Sequence, residues 1–194
     1  LYSTPTQPGD IYLVGPSGPQ RLTNVGAANV AAATVAEVQE RWVNSFDGQR
    51  IQYWIVTPPN YDRTKKYPAI LYIHGGPHAM YGQTFFHEFQ VLANAGYVVI
   101  YGNPRGSTGY GGEFGNVIQH RYPGDDAKDL LATLDDAMTL GFIDERRLGV
   151  AGGSGGGVLS SWLISNWPDR FQASVVERAV LDWRQMMGSD IPLI

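Results

Sequence analysis

Ser154 stands at the centre of the run Gly152-Gly153-Ser154-Gly155-Gly156, directly after an apolar stretch and directly before a segment with helical spacing. A serine nucleophile needs that setting. Its Oγ must project from a sharp strand-to-helix turn, and the positions two before and two after it must be nearly free of side chains. Gly152 and Gly156 meet the requirement. A helix starting there aims its N-terminal N–H groups at the reacting atom, and the N–H of Gly155 becomes a donor to the oxyanion formed when a carbonyl is attacked. Taken alone, the turn also fits two plainer readings, a glycine-rich turn with an incidental serine and a phosphate cradle for a dinucleotide. The strict G-x-G-x-x-G spacing fails at Val158, and no lysine follows as in a P-loop. A looser dinucleotide reading keeps Glu177, about 20 residues on, as a ribose-binding acid.

A second element favours the hydrolase. His74-Gly75-Gly76-Pro77 follows the apolar run at 69–73. Hydrolases of this kind take a second oxyanion donor from the loop after an early strand, often with an HGG-type sequence, because glycine lets the N–H approach substrate unobstructed. Gly75 and Gly76 are therefore the candidate partners of Gly155. His74 reads as a residue that orients this loop, not as a base.

The elements that must position these residues alternate between strand and helix from about residue 40. Residues 51–56 alternate at period two and stop at Pro58-Pro59, whereas 69–73 and 97–101 are continuous apolar runs of strands buried on both faces. Helices are expected at 85–95, 125–140 and 154–165, with further strands at 148–151 and 173–176. This order implies an α/β fold with a mainly parallel sheet and helices on both faces. Residues 10–23 read as a β-hairpin, which needs a larger sheet to be stable, and 25–38 as a connector.

With both elements placed, the chain resembles the prolyl oligopeptidase family of serine peptidases, most closely its acylaminoacyl-peptidase branch. The blocks that carry the resemblance are Ser45-Phe46-Asp47-Gly48, Lys66-Tyr67-Pro68 leading into the HGGP loop, and Asn103-Pro104-Arg105-Gly106-Ser107-Thr108-Gly109-Tyr110-Gly111. Gly141-Phe142-Ile143-Asp144, Arg147-Leu148, the Gly152 to Gly157 turn, and Asp169-Arg170-Phe171 with Trp183 beyond follow in order. The resemblance implies an α/β-hydrolase domain joined to a β-propeller that limits access to short peptides. On that basis residues 1–35 are the propeller end and connector, and 36–194 the first part of the catalytic domain. Arg105 is expected to tie loops beneath the site, and Tyr110 and Trp183 to line a pocket or simply to pack. Glu88, Asp129, Asp135 and Asp136 read as helix-surface charges. One departure stands out: Gly155 replaces a residue that in this family usually carries a side chain, which removes a substrate wall and some rigidity from the turn.

A serine hydrolase also needs a base and a carboxylate to orient it, in this fold in the chain order Ser, acid, His. His74, His78, His87 and His120 all precede Ser154, and the nearest downstream acids are Glu177, Asp182 and Asp190. The chain therefore reads as a fragment, with the acid and the histidine expected from the remainder of the same protein. A short peptide is the expected substrate, and a homo-oligomer is left open. A carboxylesterase and a catalytically silent peptide-binding module are the alternatives. No cofactor or metal is expected.

Composition narrows the classes further. With 43% hydrophobic and 16% charged residues the chain is globular, and a net charge of −4 without a basic stripe argues against a nucleic-acid surface. The longest apolar runs are strand-sized, too short to span a bilayer. There is no cysteine for disulfide or thiol chemistry. A cytoplasmic location is the expectation.

Overall fold

The computed structural model describes residues 1–186 and 188, with the side chain of Gln185 left aside. Four short strands open the chain: β1 (Tyr2–Thr4) pairs antiparallel with β2 (Gln7–Asp10), and β3 (Tyr12–Gly15) with β4 (Gly18–Arg21). The hairpin expected over residues 10–23 is present as β3 and β4, a further hairpin precedes it, and Asp10 ends β2 instead of opening β3. Its buried carboxylate is the reason. It accepts hydrogen bonds from Thr23 Oγ1 at 2.7 Å and the Val25 N–H at 3.1 Å, and it pairs with Arg21. The connector carries one short helix, α1 (Ala27–Ala32).

The main sheet is built from β5 (Val38–Asn44), β6 (Arg50–Val56), β7 (Tyr67–Ile73), β8 (Val98–Asn103), β9 (Ile143–Gly153) and β10 (Ala173–Glu177). Between them lie α2 (His87–Asn94), α3 (Gly112–Asn116), α4 (Asp125–Met138) and α5 (Gly155–Asn166), with α6 (Trp183–Met186) after β10. The strand order is β10-β9-β7-β8-β6-β5. β10, β9, β7 and β8 run parallel; at one edge β6 pairs antiparallel with β8, and β5 antiparallel with β6.

Period-two alternation assigns the sheet's two faces. Tyr53, Ile55, Val98 and Ile100 point into one core with Leu130 and Leu134 of α4 and Leu159 and Leu163 of α5. Trp54, Val56, Val99 and Tyr101 point into the other with Phe89 and Ala93 of α2. Strand β8 is therefore covered on both sides, as its continuous apolar run requires, and so is β6, whose residues 51–56 read as alternating. Each fully buried large side chain contributes about 1.5–3 kcal/mol. Among the described residues no helix is long and apolar enough to cross a membrane.

This topology decides where chemistry can occur. β7 lies between β9 and β8, and the three end level with one another: Ile73 is in register with Gly152, and Tyr72 with Tyr101. The loops leaving their carboxyl ends are the HGGP segment, the Gly153–Ser154 turn and the Asn103-Pro104-Arg105 segment. In an open parallel sheet that edge is where ligands bind.

Candidate active site

Ser154 adopts φ 58° and ψ −121° between β9 and α5, a left-handed backbone that a non-glycine residue occupies only under constraint. The constraint is visible. The Ser154 N–H donates to the Glu177 carbonyl at 3.0 Å, and the Ser154 carbonyl accepts from the Val158 N–H at 3.0 Å to start the helix. The serine is exposed while Gly155, Gly156 and Gly157 behind it are buried. The first N–H groups of α5 have no intrahelical acceptor, so the turn presents donors as well as a hydroxyl.

The HGGP loop packs directly on this turn. A Cβ placed on Gly75 would sit 3.4 Å from Ser154 Cβ and 3.8 Å from its Oγ, and one on Gly155 would meet the Gly76 carbonyl oxygen at 2.5 Å. Ser154, Gly155, Gly75 and Gly76 are thus brought together, as their sequence positions suggested. The space at Gly155 is not an empty wall: the Gly76 peptide fills it, which also ties the turn to its neighbour.

Support for the HGGP loop comes from the next loop along the sheet. His74 Nδ1 lies 2.7 Å from the Gly75 carbonyl and Nε2 lies 3.0 Å from Ser107 Oγ, while His78 Nδ1 lies 3.0 Å from the Gly106 carbonyl. Burial lowers the His74 pKa, so the neutral ring is favoured. It then donates from Nδ1 to Gly75, and Nε2 faces the Ser107 hydroxyl, whose single proton also has the Pro104 carbonyl as an acceptor at 2.6 Å. Both ring nitrogens are committed to loop contacts.

Arg105 holds that second loop in turn. Its backbone N–H and Nε donate to Asp129 Oδ2 at 2.8 Å each, Nη2 donates to Asp129 Oδ1 at 2.9 Å, and Nη1 and Nη2 reach Asp47 at 2.9 Å. The guanidinium is held well above its ordinary pKa by these carboxylates, and Asp47 well below its own by Arg105. Asp129 corrects an expectation. It is fully buried beneath Arg105 and is not a helix-surface charge, because the inward face of α4 is turned toward the loop there. Asp136 is also engaged, by Arg41 and the Tyr53 hydroxyl, whereas Glu88 and Asp135 sit at the surface with Tyr72 and Arg170. Tyr110 packs: its hydroxyl accepts from Asn103 Nδ2 at 2.7 Å, and its ring lies edge-on to Trp42.

Two contacts on the Ser154 turn were not visible in the sequence. The Tyr122 hydroxyl donates to the Gly155 carbonyl at 2.9 Å, and its ring lies edge-on to Trp183. The Arg178 guanidinium lies against Gly153. Neither residue belongs to a motif that would mark it.

Close to Tyr122 in the chain, Asp126 is buried at the start of α4. Oδ1 accepts from the Gly124 N–H at 2.6 Å, and Oδ2 has no hydrogen-bond partner among the described residues. Burial pushes its pKa from 3.8 up to about 6. Because the folded value lies above the unfolded one, the folded state binds the extra proton, and stability is lost as pH rises from about 4 through about 6. Asp126→Asn should abolish this loss. Unfolding curves of wild type and variant should diverge across that window by up to roughly 3 kcal/mol, and parallel curves would contradict the reading.

Among the described residues no histidine or carboxylate is hydrogen-bonded to Ser154 Oγ. Glu177 Oε2 pairs with Arg178 at 3.0 Å, and Asp182 Oδ1 accepts from the Arg184 N–H at 2.9 Å. Asp190 lies outside the described residues.

A mainly parallel sheet, helices on both faces and a strained strand–serine–helix turn at the carboxyl edge define an α/β-hydrolase. The model of the prolyl oligopeptidase family matches residues 83–193, more than half of the sequence. The chain belongs to that family. It is 41% identical over 96% of its length to the "Uncharacterized peptidase YuxL" of Bacillus subtilis (strain 168), covering 29% of that protein. It is 32% identical over 90% of its length to "Dipeptidyl-peptidase 5" of Porphyromonas gingivalis, covering 26% of it. Among solved structures, an acylaminoacyl peptidase in complex with Z-Gly-Gly-Phe-chloromethyl ketone superposes with a TM-score of 0.91 at 30% identity, over 97% of this chain and 30% of that one. The chain thus spans less than a third of the length of the relatives it matches.

Proposed function

We propose that the protein containing this chain is a serine peptidase that cleaves short peptides through an acyl-enzyme on Ser154. The observation that carries the proposal is the strained Ser154 backbone, at φ 58°, set against Gly75 and Gly76. In this mechanism Ser154 Oγ attacks the peptide carbonyl, and the N–H groups of Gly155 and Gly76, with Gly75 shaping the loop, stabilise the oxyanion. Collapse of the tetrahedral adduct breaks the C–N bond, releases the amine and leaves the acyl group on Ser154. Water then frees the acid. A histidine and a carboxylate from the remainder of the same protein are proposed to move the protons. The hairpins formed by β1–β4 are assigned, on the same reading, to a propeller domain, and the place of action to the cytoplasm.

The test is a panel of acyl-amino-acid, dipeptidyl and carboxyl-terminal amide reporters, alongside simple carboxylesters, on the full-length protein. Amide-bond cleavage of at least one short peptide is expected. Turnover of esters alone would replace the peptidase by an esterase, and turnover of neither would favour a silent binding module.

A further inference from the structure

The nucleophile turn has a glycine that its own mechanics do not require. Small residues are needed two positions either side of the serine, at Gly152 and Gly156. Gly155 is accounted for by the Gly76 carbonyl. Gly153 is accounted for by Arg178. A Cβ on Gly153 would lie 2.7 Å from Arg178 Nη2, 2.9 Å from Cζ and 3.2 Å from Nε, so the guanidinium lies close against the residue immediately before Ser154.

Arg178 is held there by the backbone. It follows β10 directly with φ 40°, one of four non-glycine residues with positive φ among the described residues, and Ser154 is another. Its neighbour Glu177 accepts the Ser154 N–H through its carbonyl at 3.0 Å. The two strained residues are therefore linked across the β9–β10 pair. The side chain is 74% exposed, and Nη1 donates to Glu177 Oε2 at 3.0 Å. Glu177 occupies one edge of the guanidinium, leaving further donors of the five-donor fork for another acceptor.

We propose that Arg178 is a carboxylate-binding residue of the substrate site, holding a negatively charged group of the peptide next to the bond presented to Ser154. This rests on Ser154 being the nucleophile. The chemistry is that of a planar fork donating two parallel hydrogen bonds to a carboxylate. Two sources supply such a group in a short peptide: the free carboxylate at its end, and an aspartate or glutamate side chain.

The experiment measures ratios. In the full-length protein, kcat/KM and KM are compared for tetra-alanine as the free acid and as the C-terminal amide, and for amide peptides carrying Asp or Asn at each position in turn. Wild type should favour the charged member of one pair by about 10–100-fold, mainly through KM, as expected for charge-assisted hydrogen bonds. The acid–amide pair identifies the chain end as the source, and an Asp–Asn pair identifies the side chain. Arg178→Gln should bring the ratio to near one, and Arg178→Lys should keep part of it. Gly153→Ala, whose methyl displaces the guanidinium, should reproduce Arg178→Gln. If Arg178 only braces the turn, charged and neutral peptides will fall together and the ratio will persist, which overturns the proposal. A ratio near one in wild type overturns it too.

Binding of the same pairs to Ser154→Ala and to the double variant Ser154→Ala/Arg178→Gln reads the site without turnover. A charged-peptide preference in the first that is lost in the second upholds Arg178 even if the protein proves not to hydrolyse peptides. Equal binding of charged and neutral peptides to Ser154→Ala refutes it. Failure of the Ser154 reading shows instead as absent turnover and absent labelling by a serine-directed probe.

Discussion

Ser154→Ala in the full-length protein should lower kcat on any cleaved peptide by roughly 10⁴–10⁶-fold, the range seen when the nucleophile of a catalytic triad is removed. KM should change little, because the groups that bind substrate stay in place. Stability should also change little. Alanine inherits the same left-handed backbone, so its Tm should lie close to that of wild type. Ser154→Gly should be equally inactive but more stable, by about 1–2 kcal/mol, since glycine relieves the strain at φ 58°. That pairing of lost activity with gained stability separates a nucleophile held in a costly geometry from an incidental serine. A Ser154→Ala protein that keeps more than a tenth of wild-type turnover would remove Ser154 from the chemistry.

Gly156→Ala should be the most damaging single methyl group in the chain. Its Cβ would lie 2.1 Å from the Ile73 carbonyl oxygen and 2.8 Å from the His74 carbonyl oxygen, both backbone atoms of β7 and the loop it feeds. Neither can move without shifting a central strand that is paired on both sides. Gly152 faces the same crowding, with the Ile73 carbonyl 2.7 Å from its would-be Cβ. Overpacking of side chains typically costs 1–3 kcal/mol; here the colliding partner is rigid backbone, and a loss of more than about 4 kcal/mol is expected. Denaturant unfolding of the purified variant checks this. A Gly156→Ala protein within 1 kcal/mol of wild type, on the order of an ordinary surface change, would mean that β7 and α5 are not packed as described.

The contrast between these residues shows what sequence alone could carry. The strand–turn–helix geometry at Ser154 was legible because its requirements are local: a strand, a serine with small neighbours two positions away, a helix. The two-faced burial of β8 and the amphipathic stripe of α4 were legible for the same reason. Strand order was not, because β6 joins the sheet antiparallel to β8 and β5 antiparallel to β6, and nothing within their own residues states their partners. β5 escaped notice because its charged and polar residues leave it half-exposed at the sheet edge. Asp129 was misread because its partner, Arg105, lies on a loop after β8, and a buried carboxylate looks like a surface one until the cation is placed above it. The reasons for Gly155 and Gly153 were hidden in the same way. Each glycine answers to a residue distant in the chain, Gly76 in one case and Arg178 in the other.

The nucleophile itself is tested most directly by a fluorophosphonate probe applied to the full-length protein, with the adduct located by tandem mass spectrometry. A single adduct on Ser154, prevented by a competing short peptide and absent from Ser154→Ala, is the expected result. An adduct on another serine, or none in a protein that cleaves peptides, would contradict it.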